Sequence, residues 1–329
     1  MRALVVEIEA PGSVRLVDEE LGPPGRGEVL VKTLYSGMSA GTESLVFRGL
    51  LPTGLALDEA LPALSRPMTY PVRYGYSCVG VVEEGDAHLL HRRVFAFQPH
   101  QDRFVCRSDG VLVVDGLEPR LATLFPLVET ALQISLDAGE VEREHVVVMG
   151  LGAVGILSAL MLERGGAVVV GADPKPWRRE ALASLGIDAL DPGDLEGSLR
   201  QRTGGRGVPL VVEASGNPEA LADSLSLLAH EGVALVASWY GTAPVSLPLG
   251  LEFHRRRLVI RSTQVSTIPA HLRERWSIER RRQVALDLMH SLPLKALATH
   301  EFPMDRAAEA YAAVARGDQG LIHAALEYD

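Results

Sequence analysis

The chain is expected to be an α/β protein, a small mostly-β domain joined to a domain built on a doubly wound parallel sheet. Three observations carry this. Short strand-like runs broken by Gly and Pro fill residues 1–114. From residue 121 onward apolar strands alternate with helical patterns, and such βαβ units build a parallel sheet with helices on both faces. Between one of these strands and the next helix stands Gly150-Leu151-Gly152-Ala153-Val154-Gly155. At 329 residues the chain is long enough for two domains, each with its own core.

In the first part, strand character appears at 3–7, 14–17 and 28–35, the last alternating Val29, Val31 and Thr33. Gly22-Pro23-Pro24-Gly25 is the turn before it. Residues 49–74 are irregular, broken by Pro52, Gly54, Pro62, Pro67 and Pro71. Loops of that length are uncommon unless functional. This one reads either as a lid or substrate-specificity loop, or as a surface excursion with a short helix at 57–63. Strands resume at 77–83, 93–97, 103–106 and 111–114.

The second part reads as helix 121–138, strand 146–149, helix 154–164, strand 168–172, helix 177–185 and, after 195–202, strand 210–214. Helix 218–228 and strands 233–239 and 258–262 follow. The last stretch holds helix 278–292, strand 298–302, helix 305–315 and strand 322–327. Its short strands can complete a β domain but do not extend the βαβ series. The expected domains are therefore 1–122 completed by 268–329, and 123–267.

The glycine turn in this setting is the dinucleotide-binding fingerprint. Gly150 serves the tight turn, Gly152 lets a pyrophosphate approach the backbone, and Gly155 lets the helix pack on the strand. The helix start then offers unpaired N–H groups and its positive dipole end to the phosphates. Asp173 closes the next strand, where a carboxylate accepts hydrogen bonds from the adenosine ribose hydroxyls and repels a 2′-phosphate. NAD(H) is thus favoured over NADP(H), although Lys175, Arg178 and Arg179 could tolerate a phosphate. Residues 146–162 approach a membrane span in apolar length. Three clustered glycines, bracketing charges at Glu144 and Glu163, and the lack of any other such run or of a preceding signal-peptide pattern count against one.

A balance of 32 basic against 42 acidic residues, net −10, disfavours nucleic acid and acidic membrane surfaces as partners and leaves a small-molecule substrate. Cys78 and Cys106 form neither a CxxC motif nor a disulfide framework, which fits the cytoplasm.

Over nearly its whole length the chain resembles the medium-chain dehydrogenase/reductase superfamily. YSGMSAGTESLVFRG (35–49), YPVRYGYSCVG (70–80), FAFQPH (95–100), GLGAVG (150–155), EASGNPEAL (213–221), SWYG (238–241) and EFHRRRLVIRSTQV (252–265) carry the likeness. More narrowly they look like the zinc-lacking branch that includes bacteriochlorophyllide a dehydrogenase. The resemblance implies a GROES-like β domain, a Rossmann domain and a return to the first domain. Zinc-dependent relatives carry GxCG[ST]D and GHE motifs whose Cys and His bind the metal. Here the Cys slot holds Ser39 or Ala40, depending on a one-residue shift, and the His slot holds Tyr76. Neither pair offers the N/S donors zinc favours, and the four-cysteine structural lobe is missing, so no zinc is expected.

The resemblance also implies that Arg178 contacts the adenosine ribose. Ser215, Ser238 and Gln264, at or just after later strand ends, read either as facing the nicotinamide half or as residues of structural turns. Without a metal a side chain must donate to the substrate oxygen. Tyr76 is the first candidate, with His100 or Thr42 passing the proton and Ser39 as a second donor. Each has a plainer reading, packing for Tyr76 and structure for His100, while Glu43 could simply hold its loop by hydrogen bonds. A substrate pocket is expected between the domains, walled by 49–74, Trp239, Tyr240 and Trp276. The strand at 258–262 suggests a homodimer through the Rossmann sheet edge. The leading expectation is a zinc-independent, NAD(H)-linked oxidoreductase interconverting a secondary alcohol and a ketone. A quinone or enone reductase, and a dinucleotide-binding protein without turnover, are the alternatives.

Overall fold

The opening residues are rich in β-branched Val and Ile, which suits a sheet, and a glycine at φ +79°, Gly12, lets them double back. In the computed structural model, which describes residues 1–56 and 64–329, β1 (Arg2–Ala10) and β2 (Ser13–Glu20) pair antiparallel in this way. The long strand β3 (Glu28–Met38) leads into the short helix α1 (Thr42–Phe47). After it come β4 (Cys78–Gly85), β5 (Arg93–Ala96), β6 (Arg103–Arg107), β7 (Val111–Val113) and helix α2 (Pro119–Ala122). Both β4 and β6 pair antiparallel with β3. The β3–β4 contact is close enough that a Cβ on Gly80 would lie 2.2 Å from the Lys32 carbonyl oxygen. The helix expected at 121–138 is two helices, α2 and α3 (Phe125–Ala138), broken just before Pro126, which suits a helix start.

The parallel sheet begins at β8 (His145–Met149) and alternates thereafter: α4 (Ala153–Arg164), β9 (Val168–Ala172), α5 (Pro176–Ala183), β10 (Asp188–Leu190), α6 (Pro192–Arg202), β11 (Val208–Glu213), α7 (Pro218–Leu227), β12 (Leu228–Val236), β13 (Val259–Ser262) and α8 (Ile278–Met289). Among the described residues its strand order is β10-β9-β8-β11-β12-β13, every neighbouring pair parallel. This is the doubly wound dinucleotide-binding order, whose direction switches between β8 and β11. The three-residue strand β10 was too short to leave a periodic signal. The apolar run at 146–162 is explained by burial, since α4 hides Ile156 through Leu162 without interruption. No helix among the described residues is long and apolar enough to cross a membrane.

The chain returns through α9 (Leu294–Leu297), β14 (Ala298–Pro303), α10 (Ala307–Arg316) and β15 (His323–Glu327). β15 pairs antiparallel with β3 and parallel with β14, so the last strands complete the sheet that begins with β3. Ala307, Ala310, Tyr311 and Val314 of α10 share a core with Ile8, Met38, Val46, Phe47 and Tyr74. Contacts divide the chain into Met1–Pro126 with Leu286–Asp329, and Leu127–Ala285. Residues 268–285 thus lie with the parallel sheet rather than with the return, because buried Arg281 ties them to α3 through Glu129. The short helix expected at 57–63 lies outside the described residues.

Two glycine substitutions should move stability in opposite directions. Gly80→Ala must push β4 off β3 and is expected to cost about 1–3 kcal/mol. Gly197→Ala, in exposed α6 with no atom within 4 Å of the new Cβ, should add about 0.5–1 kcal/mol. Thermal melts of the two variants check both signs.

Candidate active site

The turn after β8 shows why each glycine is needed. Gly150 sits at φ +91°, and a Cβ there would lie 2.4 Å from Ser215 Cα. A Cβ on Gly155 would lie 1.8 Å from the Gly150 carbonyl oxygen, so α4 packs on its own entry turn with no room for a side chain. At Gly152 the situation is reversed, because nothing lies within 4 Å of its Cβ position. The fold does not require glycine there; an approaching ligand would, since it meets bare backbone. Gly152 is also the N-cap of α4, whose first N–H groups receive no side-chain cap. Leu151, Ala153 and Val154 complete the turn, with Leu151 and Ala153 buried.

Asp173, 3% exposed, follows β9 and binds back to this turn. Its carboxylate accepts the Leu151 N–H (2.9 Å), the Lys175 N–H (2.9 Å) and Arg178 Nη1 (3.2 Å). A carboxylate has about four acceptor positions, so one is left for a ligand. Arg179 is committed to the Asp173 and Pro174 carbonyls and to Asp191, while Lys175 and Arg178 lie over the Trp177 ring.

At the ends of β11 and β12 a second carboxylate organises the loops. Fully buried Glu213 accepts the Ser215 N–H (2.7 Å), the Ser215 hydroxyl and, on its other oxygen, the Tyr240 hydroxyl. Ser215 Oγ in turn accepts the Asn217 N–H, and Ser238 Oγ accepts the Gly216 N–H at 2.8 Å. Burial and Glu213 hold the Tyr240 phenol far above its ordinary range. Tyr240, expected as a pocket wall, therefore spends its hydroxyl on Glu213. Its neighbour Trp239 is exposed. Gln264, after β13, is exposed and accepts the Ser266 N–H with Oε1.

The residues expected to handle the proton gather in the first unit. Tyr76 is half-buried, its ring edge-on to Tyr74 at 6.1 Å. Thr42 opens α1, Ser39 is buried and Ala40 is exposed. His100 has no exposed surface: Nδ1 lies 2.7 Å from Ser36 Oγ and Nε2 2.9 Å from Glu43 Oε2. Gly75 makes room for the ring, since a Cβ there would lie 2.7 Å from it. Glu43 also accepts the Ser39 N–H (2.6 Å) and the Tyr311 hydroxyl (3.0 Å), and Tyr328 OH lies 2.7 Å from Ser36 Oγ. Burial keeps both phenols protonated as donors. Tyr328, Ser36, His100 and Glu43 are thus linked in series by hydrogen bonds, and Tyr311 donates to Glu43 as well. His100 thus has both ring nitrogens in hydrogen bonds and no surface open to solvent. Glu43 holds its loop, as the plainer reading had it. Tyr311, Tyr328 and Glu213 were missed, because each finds its partner only through the fold.

A Ser hydroxyl or Ala methyl and a Tyr phenol stand at the ligand slots, and the nearby imidazole has both nitrogens occupied. Among the described residues no group of three or more His, Cys, Asp and Glu is placed to hold a metal.

Comparison with known proteins identifies the scaffold. The zinc-binding dehydrogenase family profile matches residues 153–279. D-guloside 3-dehydrogenase of Escherichia coli K12 is 30% identical over 304 residues, covering 85% of this chain and 86% of that protein. The 2-desacetyl-2-hydroxyethyl bacteriochlorophyllide A dehydrogenase of Cereibacter sphaeroides is 26% identical over 336 residues, covering 95% and 94%. The crystal structure of an alcohol dehydrogenase from Escherichia coli CFT073 complexed with NADH superposes with a TM-score of 0.79, at 16% identity and 99% coverage of both chains. The chain belongs to the zinc-binding dehydrogenase family and is an oxidoreductase of the medium-chain dehydrogenase/reductase type.

Proposed function

We propose that the chain is a zinc-independent, NAD(H)-linked oxidoreductase that interconverts a secondary alcohol and a ketone in the cytoplasm. The observation that carries the reading is Gly152, bare of contacts at an uncapped helix start and tied through Leu151 to Asp173. The preference for NAD(H) rests on that carboxylate, with Arg178 and Arg179 already committed to Asp173 and Asp191 rather than to a phosphate. The hydroxyl-bearing substrate follows from the relatives, one a guloside dehydrogenase and one a hydroxyethyl-bacteriochlorophyllide dehydrogenase.

When bound, the nicotinamide supplies or accepts the hydride. The chain's own residues do the rest. The backbone of 150–155 binds the pyrophosphate, and Asp173 and Arg178 bind the adenosine ribose. As the carbonyl is reduced, the Tyr76 phenol gives its proton to the substrate oxygen and the phenolate regains one from solvent by way of the Thr42 hydroxyl, the reverse path serving alcohol oxidation. His100 positions Glu43, which fixes the turn from Ser39 to Thr42. Ser215, Ser238 and Gln264 present the strand ends to the nicotinamide half. Two copies pair along β13, whose Val259 is exposed at the sheet edge.

In a screen of alcohols, ketones and enones, turnover should appear with NADH or NAD in preference to the phosphorylated cofactors. Tyr76→Phe should then lower kcat by about 10²–10⁴-fold with an unchanged melting temperature, and undiminished turnover sinks the assignment. Metal analysis of freshly purified protein should find far less than one zinc per chain, and chelation should leave activity intact. Stoichiometric zinc overturns that part. Sedimentation should read twice the 35.4 kDa chain mass, and a monomer at working concentration removes the β13 pairing.

A further inference from the structure

We propose that Arg281 is a positioning residue: from inside the parallel-sheet unit it fixes the loop 263–267 so that the loop's backbone is set for the nicotinamide half of the dinucleotide. The inference rests on the reading above, in which the carboxyl ends of the strands receive that cofactor.

Arg281, on α8, is 1% exposed, and a guanidinium so buried must have every N–H satisfied. All five are. Nε and Nη2 donate to Glu129 Oε1 at 3.1 and 3.0 Å, and Nη1 donates to Gln133 Oε1 at 2.5 Å. The remaining two go to loop carbonyls, Nη2 to Val265 and Nη1 to Thr267 at 3.4 Å. Moving either carbonyl away would strand a charged donor in the interior, so the arginine dictates where both stand. The same loop is held at its start. Thr263 Oγ1 donates to Asp137 Oδ2, which also accepts from Gln133 Nε2 at 3.1 Å, and the Arg261 guanidinium donates to the Asp137 carbonyl.

Glu129, Gln133 and Asp137 are four residues apart on α3 and therefore share one face. That face is a polar rail on which the loop is mounted. Stability alone does not call for it, since well-packed apolar side chains usually serve as well or better than a buried ion pair. What the pair contributes is a single backbone course for 263–267. The loop leaves the carboxyl end of β13, on the same edge as Gly150, Ser215 and Ser238, where open parallel sheets bind ligands. Gln264, its candidate cofactor residue, lies between the two clamped regions.

The test compares two ligands on the full chain. NADH carries the nicotinamide; ADP-ribose has the same adenosine and pyrophosphate but lacks it. Both are titrated against wild type, Arg281→Lys, which keeps the charge and loses the planar fork, and Glu129→Gln, which keeps the shape and loses the charge. In each variant the Kd for NADH should rise about 10-fold or more while the Kd for ADP-ribose stays within about twofold. If Arg281→Lys shows no cooperative melt, Glu129→Gln decides alone. Variants that bind NADH as tightly as wild type, or that lose both ligands equally, overturn the assignment of Arg281 and leave the dinucleotide reading standing. A folded wild type that binds neither ligand overturns both.

Discussion

A buried carboxylate must be surrounded by donors, and within each unit of this chain the donors come largely from loops at strand ends. Asp173 gathers the backbone of Leu151 and Lys175, Glu213 that of Ser215, and Glu43 that of Ser39. Glu129 works at one remove, orienting the guanidinium that grips Val265 and Thr267. Each group would be costly to bury unpaired, and each pairing is complete only in one loop conformation. The exits of β3, β8, β9, β11 and β13 are thereby fixed by hydrogen bonds to buried charged groups.

The same rule accounts for the region where metal ligands would stand in zinc-dependent relatives. The phenol of Tyr328, the hydroxyl of Ser36 and the imidazole of His100 lie in series on one path to Glu43, and the phenol of Tyr311 reaches it directly. The set ties the Ser39–Glu43 turn to β3 through Ser36 and to α10 through Tyr311.

How far the sequence alone could be read depended on whether a feature is local. The Gly150–Gly155 turn, the strand–helix alternation and Asp173 are contiguous patterns, and their geometry follows from backbone sterics within a few residues. Strand β10 escaped because three residues carry no period, and the helix break at Thr123 and Leu124 because the surrounding apolar spacing runs through it. His100 was legible as a candidate but its partners were not, since Ser36 and Glu43 reach it only when β3 and α1 are folded against its loop. Arg281 sits in a run of three arginines, and nothing in the run distinguishes the one that is buried from its exposed or half-buried neighbours.

Anchoring by interior carboxylates also separates two kinds of residue. The residues that decide where each loop runs, Glu43, Asp173, Glu213 and Arg281, are hidden. Many of those the loops display, Ala40, Trp239 and Gln264, are open to solvent and hold no core together. The displayed set can therefore be exchanged at far less cost to folding than the hidden set, whose loss strands a buried charge or its donors.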